Sequence, residues 1–122
     1  MKRVYMAAVA AATVGLMAAG SAFAANEIVI GLNNVKSGPL KSPGEGTELA
    51  VDIAVKEINA AGGIAGMQIR IVKFDTGSDP KQAVVATRKF AQDDGALAII
   101  GPFSSGEAGA AFPVGERLGI VQ

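Results

Sequence analysis

The chain contains 122 residues, with 11 basic and 11 acidic side chains, and a length of this order corresponds to one domain at most. Because histidine and cysteine are absent, Ser-His-Asp and Cys-His catalysis, imidazole and thiolate metal sites, disulfides and cysteine-linked lipid anchors are excluded. The balanced charge argues against a nucleic-acid-binding surface, which requires an excess of basic residues.

Residues 1–24 have the pattern of a signal peptide. Lys2 and Arg3 precede an uncharged, alanine-rich run that ends in a small-x-small pattern at Ala24. An uncleaved membrane anchor is the alternative, but alanine contributes little hydrophobicity and the small residues at the end favour release. We therefore expect cleavage after Ala24 and export of residues 25–122, with 9 basic and 11 acidic side chains, to the periplasm.

The exported part alternates short apolar runs with helical stretches. Ile28–Leu32 is nearly continuous apolar sequence, which is typical of a strand buried on both faces of a parallel sheet. Residues 33–46 contain glycine and proline turn signals and are predicted to form a loop. Thr47–Ala61 has apolar residues at three- and four-residue spacing, which predicts a helix that ends at Gly62.

The same alternation continues to the end of the sequence. The later predicted elements are a strand at 68–74, a helix at 79–93, a strand at 96–100, a helix from 104 to 118 and the start of a strand at 119–122. Asp79 before Pro80 marks the start of the second helix, since aspartate caps free N–H groups and proline fits the first helical position. Ser104 and Glu107 have the spacing of a capping box at the start of the third helix, and Pro113 is a potential kink within it.

The order β-α-β-α-β-α-β predicts an α/β fold with a parallel sheet, flanking helices and right-handed crossovers. Ligands in such sheets bind outside the carboxyl ends of the strands, where the loops at 33–46, 75–79 and 101–106 are expected to lie. A strand of the buried type begins just before Gln122 and has no partner after it. We therefore expect residues 25–122 to be the truncated first part of a larger lobe.

The segment from Gly101 to Glu107 is the best candidate for a ligand site. Free backbone N–H groups at a helix N-terminus attract anions, Ser104 and Ser105 add hydroxyl groups, and Gly106 allows a ligand to approach the backbone. A carboxylate or a phosphate fits this arrangement. Alternatively, the serines only cap the helix, and both interpretations hold if Ser104 caps while Ser105 binds.

Other patterns give little support to catalysis or to a cofactor. The sequence has neither a P-loop nor the Rossmann glycine pattern after its first strand. Asp75 and Asp79 are better interpreted as a strand end and a helix cap than as cation ligands or an acid–base pair. A nucleophile–base pair of Ser105 with a lysine has no support in the spacing. We expect no catalytic residue, no metal, no cofactor and no nucleic-acid partner.

Five segments, in order and at matching spacing, resemble the opening of the periplasmic leucine/isoleucine/valine-binding proteins. They are Ile28–Leu32, Ser37–Pro39, Glu57–Ile64 with Gly66, Asp79–Ala83 and Ile99–Ser105. The resemblance covers the whole exported part of the chain. It implies a two-lobed type I periplasmic binding fold, of which residues 25–122 would form the first part of the N-terminal lobe.

The resemblance also implies a function. Such proteins are substrate-binding components of ABC transporters, which clamp a branched-chain or similar amino acid between two lobes and deliver it to an inner-membrane permease. The family's serine after the third strand meets the ligand carboxylate and corresponds to Ser105. With its neighbours Phe103, Ser104 and Gly106 it forms the predicted ligand-binding set. The family's acidic residue for the ligand ammonium, the hinge and the second lobe have no counterpart within these 122 residues.

The sequence departs from the family pattern at two places. Some members carry a disulfide at positions that correspond to Ser78 and Ser104, and some carry an aromatic residue in the first loop, where this chain has residues 39–44. The resemblance therefore leaves the particular amino acid open. A ligand-sensing receptor domain of the same fold, an exported enzyme and a non-functional truncated fragment are the alternative interpretations.

Overall fold

A computed structural model describes residues 27–122, so the predicted signal peptide at residues 1–24 lies outside the described range. In chain order the elements are β1 (Glu27–Asn34), α1 (Lys41–Ala60), β2 (Gln68–Asp75), α2 (Pro80–Gln92), β3 (Ala98–Ile100) and α3 (Ser105–Leu118). The three strands form one parallel sheet in the order β2-β1-β3. The predicted α/β class with flanking helices is confirmed.

The strand order determines where the helices lie. Because β2 and β3 pair with opposite sides of β1, right-handed crossovers place α1 and α2 on opposite faces of the sheet. Helix α3 packs against α2. The chain therefore leaves β1 towards one face and leaves β3 towards the other. This arrangement is a topological switch point, the place where open α/β sheets bind their ligands at the carboxyl ends of the strands.

The main apolar core lies between the sheet and α2. Phe90 is fully buried with Ala86 and Ile99, and its ring meets the ring of Phe74 edge to face at a centroid distance of 6.5 Å. A Cβ atom on Gly31 would lie only 2.6 Å from Cγ of Phe90. The absence of a side chain at this position of β1 therefore lets the Phe90 ring fit directly against the central strand.

Helix α1 begins at Lys41, so the prediction of a loop through residue 46 is wrong in its second half. Pro43 is in the first helical turn, where its missing N–H has no partner to lose. Gly44 is buried in the same turn, and a Cβ atom there would overlap the carbonyl oxygen of Val35 and lie 2.8 Å from its carbonyl carbon. The glycine and proline that suggested a turn instead allow a helix start packed closely on the end of β1.

The predicted fourth strand is present only as one bridge, in which Val121 pairs in parallel with Ala98 and its carbonyl oxygen accepts from the Ile99 N–H at 2.8 Å. Strand β3 is shorter than predicted, since its ladder with β1 begins at Ala98. Helix α3 continues through Pro113 and ends at Gly119, whose φ of 69° is left-handed. Among residues 27–122, no helix has both the length and the apolar character needed to cross a membrane.

Candidate ligand-binding site

The N-terminus of α3 has the predicted capping box. Ser104 has extended backbone angles, and its hydroxyl accepts a hydrogen bond from the Glu107 N–H at 3.3 Å. In return, a carboxylate oxygen of Glu107 accepts from the Ser104 N–H at 3.3 Å. A helix start leaves four N–H groups without an intrahelical acceptor, and this box satisfies two of them. The remaining two belong to Ser105 and Gly106.

The four residues predicted to bind a ligand lie together on the loop after β3 and the first turn of α3. Ser105 and Gly106 are exposed, and Ser104 is half-buried. A Cβ atom on Gly106 would meet nothing within 4 Å, so the space beside this turn is open. Phe103, which directly precedes Ser104 in the chain, is 40% exposed and gives this segment an apolar surface. The segment therefore offers polar donors and an aromatic ring at the switch point of the sheet.

A buried polar network lies beneath this turn. The Glu107 side chain is fully buried, and its Oε2 accepts from the Ser104 hydroxyl at 2.6 Å. Its Oε1 accepts a hydrogen bond from the hydroxyl of Thr76, a buried residue in the loop after β2. The sequence predicted the cap formed by Glu107 but not its contact with Thr76, because a pair 31 residues apart leaves no local signal.

Two aspartates at the same edge of the sheet have structural roles, as predicted. Asp75 Oδ1 accepts from the backbone N–H of Lys36 at 2.8 Å and from that of Gly77 at 3.0 Å. The backbone N–H of Lys36 is the main cause that holds the pKa of the Asp75 carboxyl below its ordinary value. Asp79 caps α2, accepting from the Lys81 N–H at 2.8 Å. Within the described residues, no group of three or more acidic side chains is arranged to hold a metal ion.

Two buried asparagines lie at the end of β1, where the sequence predicts a loop. Asn33 donates to the Ala83 carbonyl in α2 at 3.1 Å, and Asn34 donates to the Gly44 carbonyl in α1 at 2.7 Å. Successive residues of a strand face opposite sides of the sheet, so each amide ties one of the two helices to the central strand. These contacts fix the edge on which the candidate site lies.

The loop after β3 approaches the end of β1 very closely. Gly101 has a φ of 96°, and a Cβ atom there would overlap the carbonyl oxygen of Asn33. Both the backbone angle and the contact require glycine. The start of the candidate segment is thereby held against the central strand.

Comparison with known sequences identifies the class of protein. The sequence profile of the periplasmic binding protein family matches residues 27–121, and the chain belongs to that family. Its members are binding proteins rather than enzymes, and they are typically extracytoplasmic. The family predicted from the five sequence segments is confirmed.

Among curated relatives, the chain is 38% identical over 110 residues to Leu/Ile/Val-binding protein homolog 7 of Brucella abortus, an alignment that covers 90% of this chain and 27% of the relative. It is 33% identical over 120 residues to an amino acid binding protein of Pseudomonas aeruginosa, covering 98% of this chain and 32% of that protein. The chain thus spans about a third of the length of these relatives.

A similar solved structure is the branched-chain amino acid transporter substrate binding protein LivJ of Streptococcus pneumoniae in complex with isoleucine. It superposes with a TM-score of 0.75 and 36% identity over 77% of this chain and 27% of that one. A branched-chain amino acid ABC transporter protein of Rhodospirillum rubrum superposes with a TM-score of 0.70 at 26% identity, over 78% of this chain and 27% of its own. These similarities confirm the type I periplasmic binding fold.

Proposed function

We propose that the chain provides the carboxylate-binding part of an amino-acid site in the substrate-binding component of an ABC transporter. The observation that carries this proposal is the pair of N–H groups, on Ser105 and Gly106, that the capping box leaves without an acceptor at the switch point of the sheet. The similarity to an isoleucine-bound transporter protein supports a branched-chain or related amino acid as the ligand.

The chemistry of this site is non-covalent recognition of a carboxylate. The ligand carboxylate accepts hydrogen bonds from the two free N–H groups and from the Ser105 hydroxyl, at the positive end of the α3 dipole. Charge-assisted bonds of this kind are about twice as strong as neutral ones. The exposed ring of Phe103 provides an apolar contact for the aliphatic part of the ligand.

The remaining steps of transport extend this proposal. Residues 1–24 would direct export to the periplasm, and residues 25–122 would form part of the N-terminal lobe. A second lobe would close over the ligand by a hinge motion and would supply the group that meets the ammonium. The closed form would then dock on an inner-membrane permease.

A titration of the chain with leucine, monitored by the chemical shifts of the backbone amides, tests the proposal. We expect leucine, isoleucine and valine to shift the amide resonances of Ser105 and Gly106. Leucinamide, which lacks the carboxylate, should shift them far less. A hydrogen bond to a charged group contributes about 1.5–3 kcal/mol, so Ser105→Ala should weaken leucine binding by about tenfold or more.

Glu116→Ala serves as the control, because this exposed residue lies near the opposite end of the same helix. Its leucine affinity should equal that of the unmodified chain. Equal binding of leucine and leucinamide, or an unchanged affinity in Ser105→Ala, would contradict a carboxylate site at the start of α3.

A further inference from the structure

We propose that Thr76 and Glu107 are positioning residues of the ligand site, which hold the turn at residues 104–106 in its binding conformation from beneath. Neither side chain is exposed, so each acts through Ser104 and the backbone rather than by touching the ligand. The inference rests on the proposed carboxylate site at Ser105 and Gly106. It identifies the side chains that hold the backbone of that site in its binding conformation.

The first observation is that both oxygens of the buried Glu107 carboxylate accept hydrogen bonds. Oε2 accepts from the Ser104 hydroxyl at 2.6 Å and from the Ser104 N–H at 3.3 Å. Oε1 accepts from the Thr76 hydroxyl. A capping box requires only one acceptor oxygen of the glutamate. The second oxygen therefore serves the contact with the loop after β2.

The second observation is that Thr76 is itself held firmly. Its N–H donates to the Asn34 carbonyl at 2.9 Å, and its carbonyl accepts from the Asp79 N–H at 3.0 Å. Its hydroxyl oxygen also accepts from the Ser78 N–H at 3.3 Å. A continuous path of hydrogen bonds thus runs from β1 through Thr76 and Glu107 to Ser104.

This path joins two loops that the sheet does not join. Strands β2 and β3 lie on opposite sides of β1 and share no ladder, so no pairing of these strands fixes the loop after β3 relative to the loop after β2. Each loop separately contacts the end of β1, and the Thr76–Glu107 hydrogen bond connects the two loops directly.

Loss of the Thr76 hydroxyl would leave a buried carboxylate oxygen without a donor, which is costly in a protein interior. Glu107 would then relax towards water and carry the Ser104 cap with it. The free N–H groups of Ser105 and Gly106 would lose their common orientation. We therefore expect the substitution to weaken ligand binding although residue 76 does not contact the ligand.

The test compares Thr76→Val, which removes the hydroxyl, with Thr76→Ser, which keeps it. Thr47→Val is the matched control, because the Thr47 hydroxyl bonds the Pro43 carbonyl at 3.1 Å within α1, away from this network. The readouts are hydrogen exchange of the Ser104 and Glu107 amides without ligand, and leucine affinity from amide shifts. In Thr76→Val, we expect exchange to accelerate and affinity to fall, each by about fivefold or more, the effect of one lost hydrogen bond.

Thr76→Ser and Thr47→Val should match the unmodified chain in both readouts. Equal exchange and equal affinity in the valine and serine variants at position 76 would overturn the positioning role while leaving the proposed function intact. If exchange accelerates in Thr76→Val but leucine shifts no resonance in the unmodified chain, the proposed function fails and, with it, the role in ligand binding, whereas the link between the loops stands.

Glu107→Gln gives a second test that does not depend on the folding of Thr76→Val. Glutamine preserves the capping box but has one acceptor oxygen and one NH2 group that only donates, so it cannot accept from the hydroxyls of both Thr76 and Ser104. If the oxygen stays on Ser104, the Thr76 hydroxyl, which already accepts from the Ser78 N–H, must turn from donor to acceptor. The Ser104 amide should therefore exchange faster and leucine should bind more weakly. Unchanged exchange and unchanged affinity in Glu107→Gln would overturn the proposal.

Discussion

Replacing Gly44 by alanine should destabilise the protein, although alanine is the better helix former. Gly44 is buried in the first turn of α1, where a Cβ atom would overlap the Val35 carbonyl oxygen and lie 2.8 Å from its carbon and 3.3 Å from its Cα. These neighbours are backbone atoms at the end of the central strand. They cannot rotate away as a side chain does, so the helix itself must move.

Two opposing effects determine the size of the change. Alanine gains about 1 kcal/mol over glycine in a helix interior. Overpacking against a rigid neighbour costs about 1–3 kcal/mol and occasionally more, and here the displaced turn also carries the Gly44 carbonyl that accepts from Asn34 at 2.7 Å. If that hydrogen bond, worth about 1 kcal/mol, is lost as well, its loss offsets the gain in helix propensity. We therefore expect a net loss of about 1–3 kcal/mol, the cost of overpacking against backbone.

Urea unfolding followed by circular dichroism at 222 nm measures this change. The control is Gly46→Ala in the same helix, where a Cβ atom would meet nothing within 4 Å. We expect Gly46→Ala to be more stable than the unmodified chain by about 0.5–1 kcal/mol, since only the propensity gain applies. Equal stability of the Gly44 and Gly46 variants would refute the close packing of α1 on β1.

Two further predictions concern Phe90 in the apolar core and Asp75 at the end of β2. Phe90→Ala should cost about 3–5 kcal/mol of unfolding free energy, because the ring is fully buried and meets Phe74 edge to face; a urea midpoint close to that of the unmodified chain would contradict this core. The pKa of Asp75 is lowered in the folded state because the N–H of Lys36 stabilises its charged form. The ionised carboxyl therefore adds to the free energy of unfolding above the unfolded pKa of about 3.9. This stabilisation is lost as the pH falls through the lower pKa of the folded state. Asp75→Asn should therefore be less stable than the unmodified chain at pH 7. Its free energy of unfolding should also fall less than that of the unmodified chain when the pH is lowered below about 4. Parallel plots of unfolding free energy against pH for the two proteins would contradict this linkage.

Local patterns in the sequence predicted most of the fold. The apolar run at Ile28–Leu32, the Asp79-Pro80 helix start and the Ser104–Glu107 capping box each have their cause within a few residues of chain, and the structure contains all three. Each depends on backbone propensity or on a short-range hydrogen bond. Such causes can be read from sequence alone.

The start of α1 was predicted wrongly because its cause is not local. Pro43 and Gly44 have the composition of a turn, and only the close approach of Val35 shows why a helix needs glycine there. In the same way, the amide contacts of Asn33 and Asn34 with two different helices depend on which elements the fold brings together.

In the candidate site, too, features with a local cause could be predicted and features that depend on tertiary contacts could not. Its segment at residues 103–106 could be identified from the serines, the glycine and the capping box, since these are neighbours in sequence. The Thr76–Glu107 contact beneath it could not, because these residues are 31 apart in the chain and come together through the tertiary arrangement of the sheet. The ligand-binding role of the segment itself stays a prediction.

A crystal structure of the chain with bound isoleucine tests the central claim most directly. We predict that the ligand carboxylate lies at the start of α3, with an oxygen within about 3 Å of the backbone nitrogens of Ser105 and Gly106. The aliphatic side chain should point towards Phe103. A ligand bound elsewhere on the chain, or bound with its ammonium group rather than its carboxylate facing these two nitrogens, would contradict the account.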